Sequence, residues 1–229
     1  MTTPRVALVD ASLGSTPAER NFRREIDLPI RVWPVSEGDL PPPVEDWDGD
    51  AVVVSGSQTA VDDDRAWIDR TAAWVADAVA RDVPVLGVCW GHQLLARALG
   101  GRVEPMGEYE LGYTTIDRVA TDPVLDLPDE FCAFESHSDR VVDLPPDAAV
   151  VATSDRSIQA FRAGSALGVQ FHPEYDIETA RWVVENKREE LSDERVDALL
   201  AGITPERHAE TQAAKQVFEG FEELVSRRA

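Results

Sequence analysis

Cys89 stands where an apolar run, Pro84-Val85-Leu86-Gly87-Val88, meets a run rich in leucine and alanine, Leu94-Leu95-Ala96. A strand that turns this sharply into a helix crowds the residues two before and two after the turn. Glycine is needed at both, and Gly87 and Gly91 hold those positions. The turn sets the cysteine at a helix N-terminus, whose dipole favours a thiolate. It also directs the backbone N–H of Trp90 toward a developing oxyanion. On the residues alone a second reading stays open: a buried strand-end cysteine behind a glycine turn, because free cysteine packs as a small hydrophobe.

A base for such a nucleophile is offered by a second apolar run, Val169-Gln170-Phe171-His172-Pro173-Glu174. His172 can take the thiol proton while Glu174 holds its other ring nitrogen. A strand-end histidine is also an ordinary surface residue, and His-x-Glu can begin a metal site. No second His or Cys stands at ligand spacing nearby, so no metal is expected.

The elements that must carry these residues follow a regular alternation. Val6 to Val9, Ile30 to Val35, Ala51 to Val54 and Val85 to Cys89 read as buried strands of a parallel sheet. Arg65 to Ala80 places Trp67, Ile68, Ala72, Val75 and Val79 near helical spacing, with Pro84 soon after, which predicts a crossing helix whose tryptophans are core. Asp10 to Pro17 reads as a long loop, and Pro41-Pro42-Pro43 as a surface connection. From Tyr113 to Phe171 the pattern is mostly strand-like, broken at Asp122-Pro123, Pro145-Pro146 and Ala163-Gly164, as hairpins appended to a sheet edge would be. From Asp176 onward the chain reads as helical, and Ala209, Ala213, Val217, Phe221, Leu224 and Val225 predict one final amphipathic helix. No internal repeat appears. The expectation is a single α/β domain over 1–229: an open, mostly parallel twisted sheet with helices on both faces, appended antiparallel hairpins, and 176–229 as a helical extension packed on it.

The charge is unusual. There are 43 acidic residues against 22 basic ones, a formal net charge of -21, and Lys187 and Lys215 are the only lysines. Such self-repulsion is tolerated where abundant counterions screen it, so a halophilic, salt-adapted cytoplasm is expected. This sign also argues against general binding to nucleic acid or to anionic membranes. The N-terminus runs from Met1-Thr2-Thr3-Pro4 straight into Val6-Ala7-Leu8-Val9 without the regions of a signal peptide, and no apolar stretch approaches the roughly 20 residues of a membrane span. Cys132, between Phe131 and Phe134, reads as an inert core residue, and a disulfide with Cys89 is not expected in a reducing compartment.

Gly87-Val88-Cys89-Trp90-Gly91-His92-Gln93, followed by Gly168-Val169-Gln170-Phe171-His172-Pro173-Glu174, resembles the class I glutamine amidotransferases. Two weaker blocks fall in the order of that family: Val53-Val54-Ser55-Gly56-Ser57 and Glu135-Ser136-His137-Ser138-Asp139-Arg140. The resemblance implies a flavodoxin-like fold, a catalytic triad of Cys89, His172 and Glu174, and no cofactor. It implies oxyanion N–H donors at Ser57 and Trp90, with Gly56-Ser57-Gln58 standing where many members have Gly-Gly-Pro. Gln93 matches the glutamine that contacts the amino-acid end of the substrate, and Gly56, His137 and Asp139 become candidates for the pocket edge. The implied reaction is hydrolysis of the γ-carboxamide of glutamine through a γ-glutamyl thioester, with ammonia passed to an ATP-dependent synthetase partner of GMP-synthase type. Gly56-Ser57 with Val61, Trp67-Ile68 and the Ser-His-Ser-Asp block also resemble a subgroup that includes stand-alone γ-glutamyl peptidases, so hydrolysis of a γ-glutamyl peptide or amide is the alternative. A non-catalytic regulator on the same fold is the third reading.

Overall fold

The structure, a computed structural model, describes residues 4–228. Met1 to Thr3, where the N-terminal reading begins, and Ala229 lie outside the described residues.

Nine strands form one sheet. In chain order they are β1 (Val6–Asp10), β2 (Ile30–Pro34), β3 (Ala51–Val54), β4 (Val85–Val88), β5 (Arg102–Arg118), β6 (Glu130–Asp143), β7 (Ala149–Thr153), β8 (Ile158–Ala163) and β9 (Ala166–Val169). Their spatial order is β2-β1-β3-β4-β9-β8-β7-β5-β6. The first five in that order pair in parallel, and every pairing beyond β9 is antiparallel.

The parallel strands read as continuous apolar runs because both of their faces are covered. Val6, Leu8, Leu86 and Val88 enter one core with Phe22 of helix α1 (Ala18–Glu25) and with Phe218 and Phe221 near the C-terminus. Their neighbours Val9, Val85, Val52 and Val54 face the other way. They meet Ile68 and Val75 of α2 (Ala66–Ala80) and Leu94 and Leu95 of α3 (Trp90–Ala98). A third, smaller core joins Phe134 to Ala180 and Val184 of α4 (Ile177–Glu185) and to Val196 of α5 (Asp193–Gly202). Among the described residues no helix is long and apolar enough to cross a membrane.

The expected elements need four corrections. Val35 belongs to a 3₁₀ turn, Val35–Glu37, because Pro34 closes the edge strand β2 without an N–H to donate. Cys89 leaves β4 and adopts φ 54° and ψ -107°. Strand β5 begins at Arg102 rather than Tyr113: Pro105 and the left-handed Gly107 look like loop residues, but they sit where the β5–β6 register shifts, between Pro105 and Glu110. The single terminal helix is three pieces: α6 (Pro205–Ala209), a 3₁₀ segment (Glu210–Lys215) and α7 (Gln216–Ser226). The Thr211 hydroxyl donates back to the His208 carbonyl at the break, and Ala209, expected on the buried face, is exposed.

Helix α7 lies against the β5–β6 connection, where a Cβ on Gly220 would collide with the Val124 carbonyl. Replacing a helical glycine with alanine ordinarily stabilises by roughly 0.5–1 kcal/mol. At this position overpacking of about 1–3 kcal/mol should outweigh that gain. Gly220→Ala is therefore expected to lower the midpoint of urea unfolding; a raised midpoint would show that α7 does not lie on Val124.

Candidate active site

The carboxyl ends of β3, β4 and β9 point to one crevice, the usual place for a ligand in an open α/β sheet. Pairing of β4 with β9 continues one residue past the end of β4: the Cys89 N–H donates to the Val169 carbonyl at 2.8 Å. The chain then turns at once into α3. A Cβ on Gly87 would overlap the Gly91 carbonyl, as the sequence suggests, whereas a Cβ on Gly91 would strike the Val54 carbonyl of β3. The two glycines thus let strand, helix and neighbouring strand approach backbone to backbone, with Cys89 at the apex.

His172 follows β9 and is anchored by its N–H to the Phe134 carbonyl at 2.9 Å. Its Nδ1 lies 2.8 Å from Glu174 Oε1, and both side chains are buried. Tyr175 stacks on the imidazole, with centroids 4.0 Å apart and planes tilted by 16°. The Glu174 carbonyl accepts from the Arg24 guanidinium, which also holds Asp176 at 2.8 Å. Gly56 sits over the pair: a Cβ there would be 3.3 Å from His172 Cε1 and 3.9 Å from Cys89 Cβ. Burial alone would push the His172 pKa down. The charges of Glu174 and Cys89 outweigh it and raise the value to about 10.

Every candidate residue named from the sequence lines one cavity of about 720 Å³. Ser55 shapes its β3 side: its hydroxyl accepts from the Ala11 N–H at 2.9 Å and fixes the loop that carries Gly56 and Ser57. The Trp90 N–H opens α3 and so has no intrahelical acceptor. Among the described residues the Ser57 N–H has no backbone acceptor either. Gln93 Nε2 donates to the Asp139 carbonyl at 2.8 Å and to Gln170 Oε1 at 3.0 Å. Both amide donors are spent on the protein, which leaves its carbonyl for a ligand. His92, although inside the same motif, is fully buried against Phe161 and away from the cavity; burial drives its pKa down to about 3 and keeps it neutral.

His137 lines the cavity, with its ring nitrogens toward protein groups. Nδ1 donates to the Asp139 carbonyl at 2.8 Å, while Nε2 is 3.1 Å from Glu135 Oε2 and 3.3 Å from Glu110 Oε2. All three side chains are buried. Burial would lower the His137 pKa, but contacts with Glu110 and Glu135 reverse this and raise it to about 11. Nδ1 is bonded to the Asp139 carbonyl and Nε2 lies among carboxylates that favour the imidazolium, so His137 anchors the 135–139 stretch. That stretch reaches Cys89, whose Sγ lies 3.6 Å from the Ser136 carbonyl. Asp139 has its pKa raised by burial and by nearby Asp62 and Asp63, against a lowering by His137. Among the described residues no group of three or more His, Cys, Asp or Glu is disposed to hold a metal.

Tyr175, which lines the cavity, and Glu135 and Glu110, which lie against His137, had no role in the sequence reading. Tyr175 directly follows the His-Pro-Glu run, and Glu135 opens the Ser-His-Ser-Asp block, so adjacency is a usable signal for both. Glu110 carries no such signal; it meets His137 as a cross-strand pair of β5 and β6. Tyr109, Trp182 and Lys187 also line the cavity. Cys132 is a free, buried thiol whose pKa burial raises.

The open α/β sheet with its cysteine elbow is that of the class I glutamine amidotransferases. Residues 8–188 match the model of the family described as glutamine amidotransferase class-I, and the chain belongs to that family. It is 40% identical over 125 residues to the glutamine-hydrolysing GMP synthase of Thermomicrobium roseum, covering 54% of this chain and 23% of that protein. One subunit of the glutamine-hydrolysing GMP synthase of Sulfolobus acidocaldarius is 43% identical over 97 residues, 41% of this chain and 52% of that one. The match thus spans only part of these relatives. A crystal structure of a glutamine amidotransferase from Methylobacillus flagellatus superposes with a TM-score of 0.80 at 25% identity, covering 97% of this chain and 94% of that one.

The raised His137 pKa belongs to the folded state, so its stabilisation is fully present below the ordinary value of 6.5 and is lost as pH rises through about 11. His172 contributes with the same sign. Between about pH 7 and 10 the melting temperature of the wild type should therefore fall more steeply than that of His137→Gln. Parallel curves for the two proteins would mean that His137 is not held protonated.

Proposed function

We propose that Cys89, His172 and Glu174 form a nucleophile, base and orienter that hydrolyse the γ-carboxamide of glutamine, and that the released ammonia serves an ATP-dependent synthetase partner of GMP-synthase type. The observation that carries this reading is the left-handed Cys89 at the head of α3, in one crevice with a buried His172–Glu174 pair 2.8 Å apart. The similarity to glutamine-hydrolysing GMP synthases supports the partner.

With the thiol proton held on His172, the Cys89 thiolate Sγ bonds to the γ-carbonyl carbon. The N–H groups of Ser57 and Trp90 receive the oxyanion. As the C–N bond breaks, His172 gives its proton to the departing nitrogen, leaving a γ-glutamyl thioester. His172 then takes a proton from water, hydroxide adds to the thioester, and glutamate leaves as the thiol is restored. Glu174 keeps the imidazole oriented and stabilises its charged form. Gly56, the Gln93 carbonyl and Asp139 border the amino-acid end of the substrate, with His137 setting the position of that edge. Residues 1–229 act as one catalytic domain, with 176–229 packed on it as its helical extension. The net charge of -21 suits work in a salt-rich cytoplasm.

A second reading, hydrolysis of γ-glutamyl peptides or amides without a partner, is favoured by the cavity. Its volume of about 720 Å³ lies in the range of sites for drug-sized ligands, well above what glutamine requires. Both readings share the same chemistry and differ in the leaving group. A purely regulatory protein would have no use for a thioester, so trapping one decides against that role.

The test is release of glutamate from glutamine and from a γ-glutamyl dipeptide in molar salt, with intact-mass detection of the γ-glutamyl adduct. Cys89→Ala should abolish both release and adduct, and Glu174→Gln should lower kcat by up to roughly 10⁴-fold, the loss met when the orienter of another triad is neutralised. Turnover that survives Cys89→Ala would sink the mechanism.

A further inference from the structure

In acyl transfer the leaving group departs beside the acid that protonates it. The flank of His172 is therefore where the second half of a γ-glutamyl amide must lie. Tyr175 covers the imidazole, and α4 follows directly. Trp182, Asn186 and Lys187 line the same cavity from α4 and its C-terminal end.

Tyr109 completes this wall and is held at several points. Lys187 Nζ lies 4.5 Å from the centroid of its ring and 2.9 Å from both carboxylate oxygens of Glu190. Arg195 of α5 donates to the Tyr109 carbonyl at 2.7 Å. The Tyr109 hydroxyl is 3.0 Å from Ser136 Oγ, and the carbonyl of that same serine lies 3.6 Å from Cys89 Sγ. An aromatic ring is thus fixed next to the nucleophile by residues that include two, Glu190 and Arg195, lying past residue 188, where the family match ends. Trp182 is 40% exposed, and of the two exposed large apolar side chains among the described residues, Val119 and Trp182, it is the one at the cavity. An indole left open to water at a ligand cavity is a surface that gains by being covered.

We propose that Tyr109, Trp182 and Lys187 form a leaving-group subsite that selects γ-glutamyl amides of amino acids with large apolar or aromatic side chains over the amide of ammonia. The two rings take the side chain, the Asn186 amide offers donors to the carboxylate of the leaving amino acid, and the Lys187 ammonium, while holding Glu190, adds its positive charge at the same wall. The subsite rests on the second reading above, hydrolysis of γ-glutamyl peptides or amides at Cys89, but it can be tested apart from turnover.

Binding of γ-glutamyl-phenylalanine and of glutamine is measured by calorimetry on the Cys89→Ala protein, which holds both ligands uncleaved. The dipeptide should bind at least about ten-fold tighter than glutamine, and adding Trp182→Ala should remove most of that ratio, as loss of one aromatic contact predicts. Lys187→Met, read in the same way, should shrink the ratio for γ-glutamyl-phenylalanine more than for its carboxyl-amidated form. Equal affinities, a ratio indifferent to Trp182→Ala, or no binding of either ligand would overturn the subsite. Failure of the hydrolytic reading has a different signature: the dipeptide binds with this preference, yet wild-type protein releases no glutamate from it.

Discussion

The turn at Cys89 is the constraint on which the rest of the site depends. A side chain at φ 54° and ψ -107° lies outside the ordinary regions for an L-residue, and such conformations cost of order 1–3 kcal/mol. They persist where the surroundings leave no alternative. Here the Cys89 N–H is fixed to Val169, α3 begins at the next residue, and Gly87 and Gly91 bring their backbones against neighbours that would reject a Cβ. The parallel sheet thus holds the sulfur at its carboxyl edge, and the loop after β3 and the end of β9 arrive at the same edge because they flank β4.

Electrostatics at that edge run against those of the chain. The molecule carries a formal charge of -21, yet two buried imidazoles near the nucleophile have their charged forms favoured, His172 by Glu174 and Cys89, and His137 by Glu110 and Glu135. Away from water such charges act on one another far more strongly than surface carboxylates do. The local field at Cys89 is therefore set by a few paired groups, while the acidic exterior concerns solvation.

What the sequence made legible was local. The elbow could be read because its steric demands fall on residues adjacent in the chain, and the strands because burial on two faces removes polar residues from them. His172 and Glu174 were legible for the same reason. Glu110 was not, since its meeting with His137 depends on the β5–β6 register, which shifts after Pro105. Pro105 and Gly107 concealed the start of β5, and a regular apolar spacing concealed the break before α7, where a 3₁₀ segment intervenes and Thr211 bonds backward. The substrate-binding part given to His137 followed from its position beside the site; only the structure reveals that both ring nitrogens are turned to protein acceptors.

In the proposed mechanism the groups that touch the scissile bond and those that flank it come from separate stretches. Cys89, His172 and the N–H groups of Ser57 and Trp90 lie just beyond the buried strands β3, β4 and β9, whereas Trp182 and Lys187 ride on a helix and its exit. On this reading, changes in the helix alter which amines are accepted and leave the machinery that breaks the bond in place, so the same chemistry can serve a different diet of substrates.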